Sequence, residues 1–171
     1  HGYLCRIAAS IGALEQAVFA AHDAVQQPDA AHTMSGGNGG TTLTAGLILG
    51  RRLFIAHVGD SRAYRWRKGV LTQLTRDHSL LQEQLDAGLI TPEQAAHSGY
   101  RSWVTRALGV EDTVLLETAQ HALLPGDVFL LCSDGLTEMA GDAQIAAVLG
   151  APEPLAEQAR QLIELARAGG G

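Results

Sequence analysis

Cysteine, lysine and long apolar runs are all scarce in this 171-residue sequence, and each scarcity removes a class of protein. The two cysteines, Cys5 and Cys132, fall in a helix-like and a strand-like segment, and two thiols do not make the disulfide framework of a small secreted domain. A reducing, cytoplasmic setting is the expectation. Lys68 is the only lysine, and no basic cluster is longer than Arg65-Trp66-Arg67-Lys68. With 12 basic against 18 acidic side chains, a net charge of -6, neither nucleic acid nor an anionic membrane is the expected partner. No apolar stretch approaches the ~18 residues of a membrane span. The seven histidines include no His-Glu-x-x-His, and no pair of Cys-x-x-Cys occurs, which argues against zinc. No Gly-x-Ser-x-Gly elbow surrounds Ser61, Ser79 or Ser133, which argues against a serine hydrolase. No Gly-Lys-Ser or Gly-Lys-Thr follows Gly36–Gly40, so that stretch reads as a flexible turn rather than a phosphate loop.

What remains is a globular chain with a 46% hydrophobic fraction, one domain's worth of sequence and enough to bury a core. Ile11, Leu14, Val18, Ala21 and Val25 recur at three- and four-residue steps and predict an amphipathic helix from about Leu4 to Gln26, ended by Pro28. Residues 29–40 are polar and glycine-rich, a loop. Thr41–Leu49, Arg52–Val58, Ala63–Arg67 and Val70–Leu74 are β-rich runs broken by Gly50-Arg51, Gly59-Asp60 and Lys68-Gly69, which predicts an antiparallel meander. A helical excursion follows: Leu80–Leu89, then Thr91-Pro92-Glu93-Gln94 with an N-cap, a first-turn proline and a capping-box glutamine. Thr113–Gln120 and Val128–Cys132 return to strand. Asp142 is expected to cap a short helix through Leu149, and Leu155, Ala159, Leu162, Ile163 and Ala166 mark a last amphipathic helix. This order is α+β rather than alternating βαβ.

Two aspartates stand where strongly apolar runs stop. Phe54, Ile55, Ala56 and Val58 lead to Asp60, and Val128–Leu131 lead to Ser133-Asp134-Gly135, so both carboxylates lie at strand ends. Taken singly, each is an ordinary turn residue bonding nearby backbone N–H groups. Taken together, two such carboxylates can share a cation, and an oxygen-only set suits Mg²⁺ or Mn²⁺. His57 alternates in phase with Ile55 and reads as a hydrogen-bonded core histidine. His78, in a loop after a strand, also reads as structural and able to orient the helical insert.

The ordered series Gly40-Thr41-Thr42-Leu43-Thr44, Val58-Gly59-Asp60-Ser61-Arg62-Ala63-Tyr64, Leu74-Thr75-Arg76-Asp77-His78-Ser79, Thr105-Arg106-Ala107-Leu108-Gly109 and Leu130-Leu131-Cys132-Ser133-Asp134-Gly135-Leu136 resembles bacterial PP2C-type (PPM) protein phosphatases over roughly residues 40–168. The resemblance implies a four-layer αββα sandwich of two antiparallel sheets flanked by helices in a single domain over residues 1–171, with a helical flap at about 79–102. It implies two or three Mn²⁺ or Mg²⁺ ions and hydrolysis of phosphoserine and phosphothreonine by direct attack of a metal-bridging water, so that catalysis runs through Asp134. Asp134 matches the Ser-Asp-Gly metal ligand of the family, and Asp60 the Gly-Asp-Ser-Arg aspartate that helps hold a third, weaker ion. A phosphorylated protein substrate, an opposing Ser/Thr kinase and a monomer follow as expectations.

The sequence departs from the family pattern at both ends. Neither the N-terminal Asp-Gly pair, whose carboxylate bridges the two principal metals, nor the Asp-Asn pair of the final strand is present. The expectation is therefore a part of a longer polypeptide that lacks terminal strands. A pseudophosphatase or phosphoprotein-binding module without turnover is the alternative function.

Overall fold

The computed structural model of the chain describes residues 2–26, 39–96, 98 and 103–170. These form two compact units, His1–Asp60 with Asp77–Ala122 and Ser61–Arg76 with Leu123–Gly171. Most of the predicted glycine-rich loop lies outside the described residues, as does the end of the predicted flap.

The first unit holds α1 (Gly2–Gln26), β1 (Leu43–Leu49), β2 (Arg52–Val58), two short helices, α2 (Leu80–Asp86) and α3 (Pro92–Ala96), and β5 (Glu117–Ala122). Its sheet runs β1-β2-β5, antiparallel throughout. Leu53–Val58 of β2 are all buried, as the continuous apolar run predicted. The α1 stripe delivers Val18 onto Ala56, Val58 and Leu108, with Leu14 and Ala21 beside them. The predicted capping box at α3 is present in both directions: Thr91 N–H donates to Gln94 Oε1 at 2.8 Å, and Gln94 N–H to Thr91 Oγ1 at 3.3 Å.

The second unit holds β3 (Arg62–Arg67), β4 (Val70–Gln73), β6 (Val128–Cys132), α4 (Asp134–Thr137), α5 (Asp142–Leu149) and α6 (Leu155–Gly169). Its antiparallel sheet runs β4-β3-β6. Leu136, Ala140, Ile145, Leu149 and Leu162 form the core against Trp66, Leu71, Val128 and Leu130. Helix α6 is amphipathic as expected, although Leu155, Ala159 and Ile163 of its predicted apolar stripe are exposed. The buried polar member of α6 is Gln158, whose Nε2 donates to the Ala151 and Glu153 carbonyls at 2.9 and 3.2 Å. Among the described residues no helix is long and apolar enough to cross a membrane.

Two antiparallel sheets with flanking helices bear out the α+β class, but the predicted four-strand meander is corrected. Strands β1 and β2 make one hairpin, β3 and β4 another, and β2 does not pair with β3. At Lys68-Gly69 both residues adopt positive φ, +50° and +84°, the twist of a tight hairpin. At Gly59-Asp60 only Gly59 does, at +109°, and there the chain passes from β2 into the other sheet, the turn being held by His78 rather than by a strand folding back on β2. Smaller corrections follow local contacts. Strand β5 begins at Glu117 rather than Thr113, and α2 stops at Asp86. Asp142 is the first residue of α5, not its cap, which is Gly141; the Asp142 carboxylate instead accepts the Tyr64 hydroxyl at 3.2 Å.

Candidate functional site

Asp60 follows the last residues of β2, where the sheet carries a polar rung across its three strands. His57 of β2 faces Thr44 of β1 on one side and Glu117 of β5 on the other. The His57 ring is 1% exposed and its Nδ1 pairs with Thr44 Oγ1 at 2.9 Å, the core role expected from its alternation. Against that ring lies His78, 2% exposed, with ring centroids 4.9 Å apart and planes tilted by 35°.

His78 grips the turn that leads into Asp60. Its backbone N–H donates to the Gly59 carbonyl at 2.8 Å, and the Gly59 N–H donates to its Nδ1 at 3.1 Å. Nδ1 therefore carries the lone pair, which leaves the ring proton on Nε2, where it is donated to Glu117 Oε2 at 3.2 Å. Thr42 also packs against Gly59, so close that a Cβ built on the glycine would collide with the threonine side chain. Asp60 itself is 9% exposed.

Further contacts hold Thr42 in turn. Its neighbour Thr41 exchanges backbone hydrogen bonds with Leu108 at 3.1 and 2.8 Å. The next residue, Gly109, donates its N–H to Nδ1 of the buried His22 on α1 at 3.1 Å. Beyond His78, Ser79 Oγ caps α2 by accepting the Gln82 N–H at 3.2 Å. Sequence reasoning gave Thr42 and His78 no part at this turn, although both lie inside the quoted motifs. It missed Glu117 and His22, which carry no motif at all.

Asp134 is placed differently, in the second unit. It is the first residue of α4, a four-residue helix that follows β6, and it is exposed. Ser133 precedes it in extended conformation without a side-chain cap, and the Asp134 carbonyl accepts the Glu138 N–H at 2.8 Å. An acidic group in a first helical turn faces the unpaired N–H end of the helix. Beside it, Leu130, Cys132, Leu136, Leu162 and Ala166 line a cleft of about 480 Å³.

Two more ionisable groups shape this unit. Arg62, from the Gly-Asp-Ser-Arg segment, donates to the Tyr64 hydroxyl at 3.1 Å. Burial pushes that hydroxyl up to about 12, against the opposing pull of Arg62. Arg67 grips both oxygens of Asp127 at 2.6 Å, and the guanidinium holds that carboxyl down at about 2.

Oxygen donors of this kind suit a hard cation. Among the described residues, no three His, Cys, Asp or Glu side chains gather closely enough to hold a metal ion.

A sequence model of the family described as Protein phosphatase 2C matches residues 8–84. The serine/threonine protein phosphatase PstP of Mycobacterium tuberculosis is 48% identical over 135 residues, covering 77% of this chain and 25% of that protein. Among solved structures, the PPM Ser-Thr phosphatase MsPP from Mycobacterium smegmatis, in complex with cacodylate, is 33% identical; the match has a TM-score of 0.77 and covers 92% of this chain and 68% of that one. The catalytic domain of PstP in complex with two manganese ions is 45% identical, with a TM-score of 0.68 over 77% of this chain and 54% of that one. The chain thus spans from a quarter to about half the length of the curated relatives it matches.

Proposed function

The chain belongs to the protein phosphatase 2C family, and from that premise we propose that it forms the hydrolytic part of a metal-dependent phosphatase acting on phosphoserine and phosphothreonine in proteins. One observation supports this reading above the rest. Four of the motifs that carry the family resemblance, those containing Thr41-Thr42, Gly59-Asp60, His78 and Leu108-Gly109, meet around the turn that presents Asp60. Residues distant in sequence hold the backbone that presents one buried aspartate, an arrangement expected where a ligand must be kept in place.

Asp60 and Asp134 are the proposed ligands of Mn²⁺ or Mg²⁺, two or three ions in all, with water filling the positions that carboxylates do not. The ions, when bound, supply Lewis acidity for attack of water on phosphorus and positive charge for the phosphoryl oxygens. Asp60 is the fixed member, its backbone held on both sides of Gly59. Asp134, exposed at the start of α4, is the member open to an incoming phosphoester. Residues 79–102, including α2 and α3, act as a flap that biases substrate choice. A monomer, a cytoplasmic setting and an opposing Ser/Thr kinase complete the reading; low cysteine content supports the setting, and the kinase rests on family analogy alone.

The natural polypeptide that carries this sequence should release phosphate from p-nitrophenyl phosphate and from a phosphothreonine peptide when Mn²⁺ is present. Chelation should abolish the release. Binding of the phosphopeptide with no turnover under any metal would instead establish a phosphoprotein-binding module.

A further inference from the structure

The hydrogen bonds of His78 reach further than a structural core histidine requires. We propose that His78 is a positioning residue for Asp60, acting through the Gly59 backbone and set in its own orientation by Glu117; this rests on the reading of Asp60 as a metal ligand.

The Gly59 carbonyl belongs to the peptide group from which Asp60 hangs, and the Gly59 N–H to the peptide before it. One residue binds both: the His78 N–H takes the carbonyl at 2.8 Å, and Nδ1 takes the N–H at 3.1 Å. Two successive peptide planes are thereby held by one residue, and Thr42 packs so close to Gly59 that no side chain would fit there. The ring cannot swing away. Glu117 Oε2 holds its Nε2 at 3.2 Å, His57 lies against its face at 4.9 Å, and the Thr105 N–H binds its backbone carbonyl at 2.8 Å. At 2% exposure, little water is at hand to replace a lost partner. Glu117 is thus coupled to Asp60 through an oriented imidazole, the way outer carboxylates orient the groups around a metal.

The two ring nitrogens can be tested apart, because an asparagine amide reaches about where Nδ1 lies and a glutamine amide about where Nε2 lies. In the natural polypeptide, Mn²⁺ binding is titrated by electron paramagnetic resonance of the free ion, with thermal unfolding measured alongside, for wild type, Asp60→Asn, His78→Gln and His78→Asn. Asp60→Asn should weaken one class of Mn²⁺ site. His78→Gln, which loses the acceptor for Gly59, should weaken the same class by roughly 10- to 100-fold. His78→Asn should stay closer to wild type in Mn²⁺ affinity even where both His78 variants melt earlier. A pair on the exposed side of the network guards against misfolding: Glu117→Ala should weaken the site in the same direction, and Glu117→Gln, which still accepts from Nε2–H, should restore it.

If Asp60→Asn weakens the site while His78→Gln and Glu117→Ala leave it at wild-type affinity, the positioning role is overturned and the ligand assignment stands. Equal weakening by His78→Gln and His78→Asn also overturns it, because affinity then follows loss of the ring rather than of the acceptor. An Asp60→Asn variant with every Mn²⁺ site intact overturns the ligand assignment and the positioning role together.

Discussion

Asp60 in the first unit and Asp134 in the second both end a strand, yet the chain supports them by different means. Around Asp60 the supports are polar and centre on two buried rings: His57 with Thr44, His78 with Glu117, and beside them a glycine pressed against Thr42. Beneath Asp134 they are apolar. Leu136 of the same short helix is anchored in the cluster of Ile145, Leu149 and Leu162, and the carboxylate projects from its exposed end. A satisfied polar network fixes a group in one geometry but depends on every member. An apolar core tolerates change at its surface and fails when its interior is hollowed. The two aspartates should therefore respond differently to substitution, at themselves and at their neighbours.

The largest functional effect should come from Asp134→Asn. It is expected to remove at least one bound Mn²⁺ and most phosphatase activity while leaving the thermal transition in place, as metal titration and calorimetry on the same sample would show. A collapse of that transition would mean that the two sites share one kind of support, and the contrast would be lost. The largest stability effect should come from Ile145→Ala, which empties a fully buried position and should cost about 2–5 kcal/mol in denaturant unfolding. Asp60→Asn should be milder than Asp134→Asn in activity, with one weaker Mn²⁺ site and a folded protein; loss of structure would instead assign Asp60 to the turn alone.

The smallest effect concerns pH. Asp127 titrates at about 2 in the folded chain against 3.8 for a free side chain, so its pair with Arg67 adds stability above pH 4, and that stability is lost as pH falls toward 2. Asp127→Asn should flatten the acid limb of a stability profile. Tyr64, raised by burial from 10.0 to about 12, has the opposite sign: its neutral form is favoured in the folded state, so stability should fall as pH rises from 10 toward 12, a limb that Tyr64→Phe removes.

Local chemistry made much of this legible in the sequence. The Thr91–Gln94 capping box, the α1 stripe, the Lys68-Gly69 turn and the core place of His57 all depend on residues within a few positions or on simple alternation. Separation in the chain hid the rest. Nothing near Gly59-Asp60 distinguishes a hairpin from a passage between sheets, because the deciding contacts come from Thr42 and His78. Glu117 lies 39 residues beyond its partner His78 and belongs to no motif, so its place beside that ring is fixed only by the β2–β5 register. Asp142 looked like a cap because aspartates commonly are; the Tyr64 hydroxyl that engages it lies 78 residues away.

Manganese-edge anomalous diffraction from crystals of the natural polypeptide grown with Mn²⁺ tests the metal assignment most directly. Peaks within coordination distance of the Asp134 and Asp60 carboxylates are expected. A fully occupied map with no peak beside either aspartate would contradict the assignment.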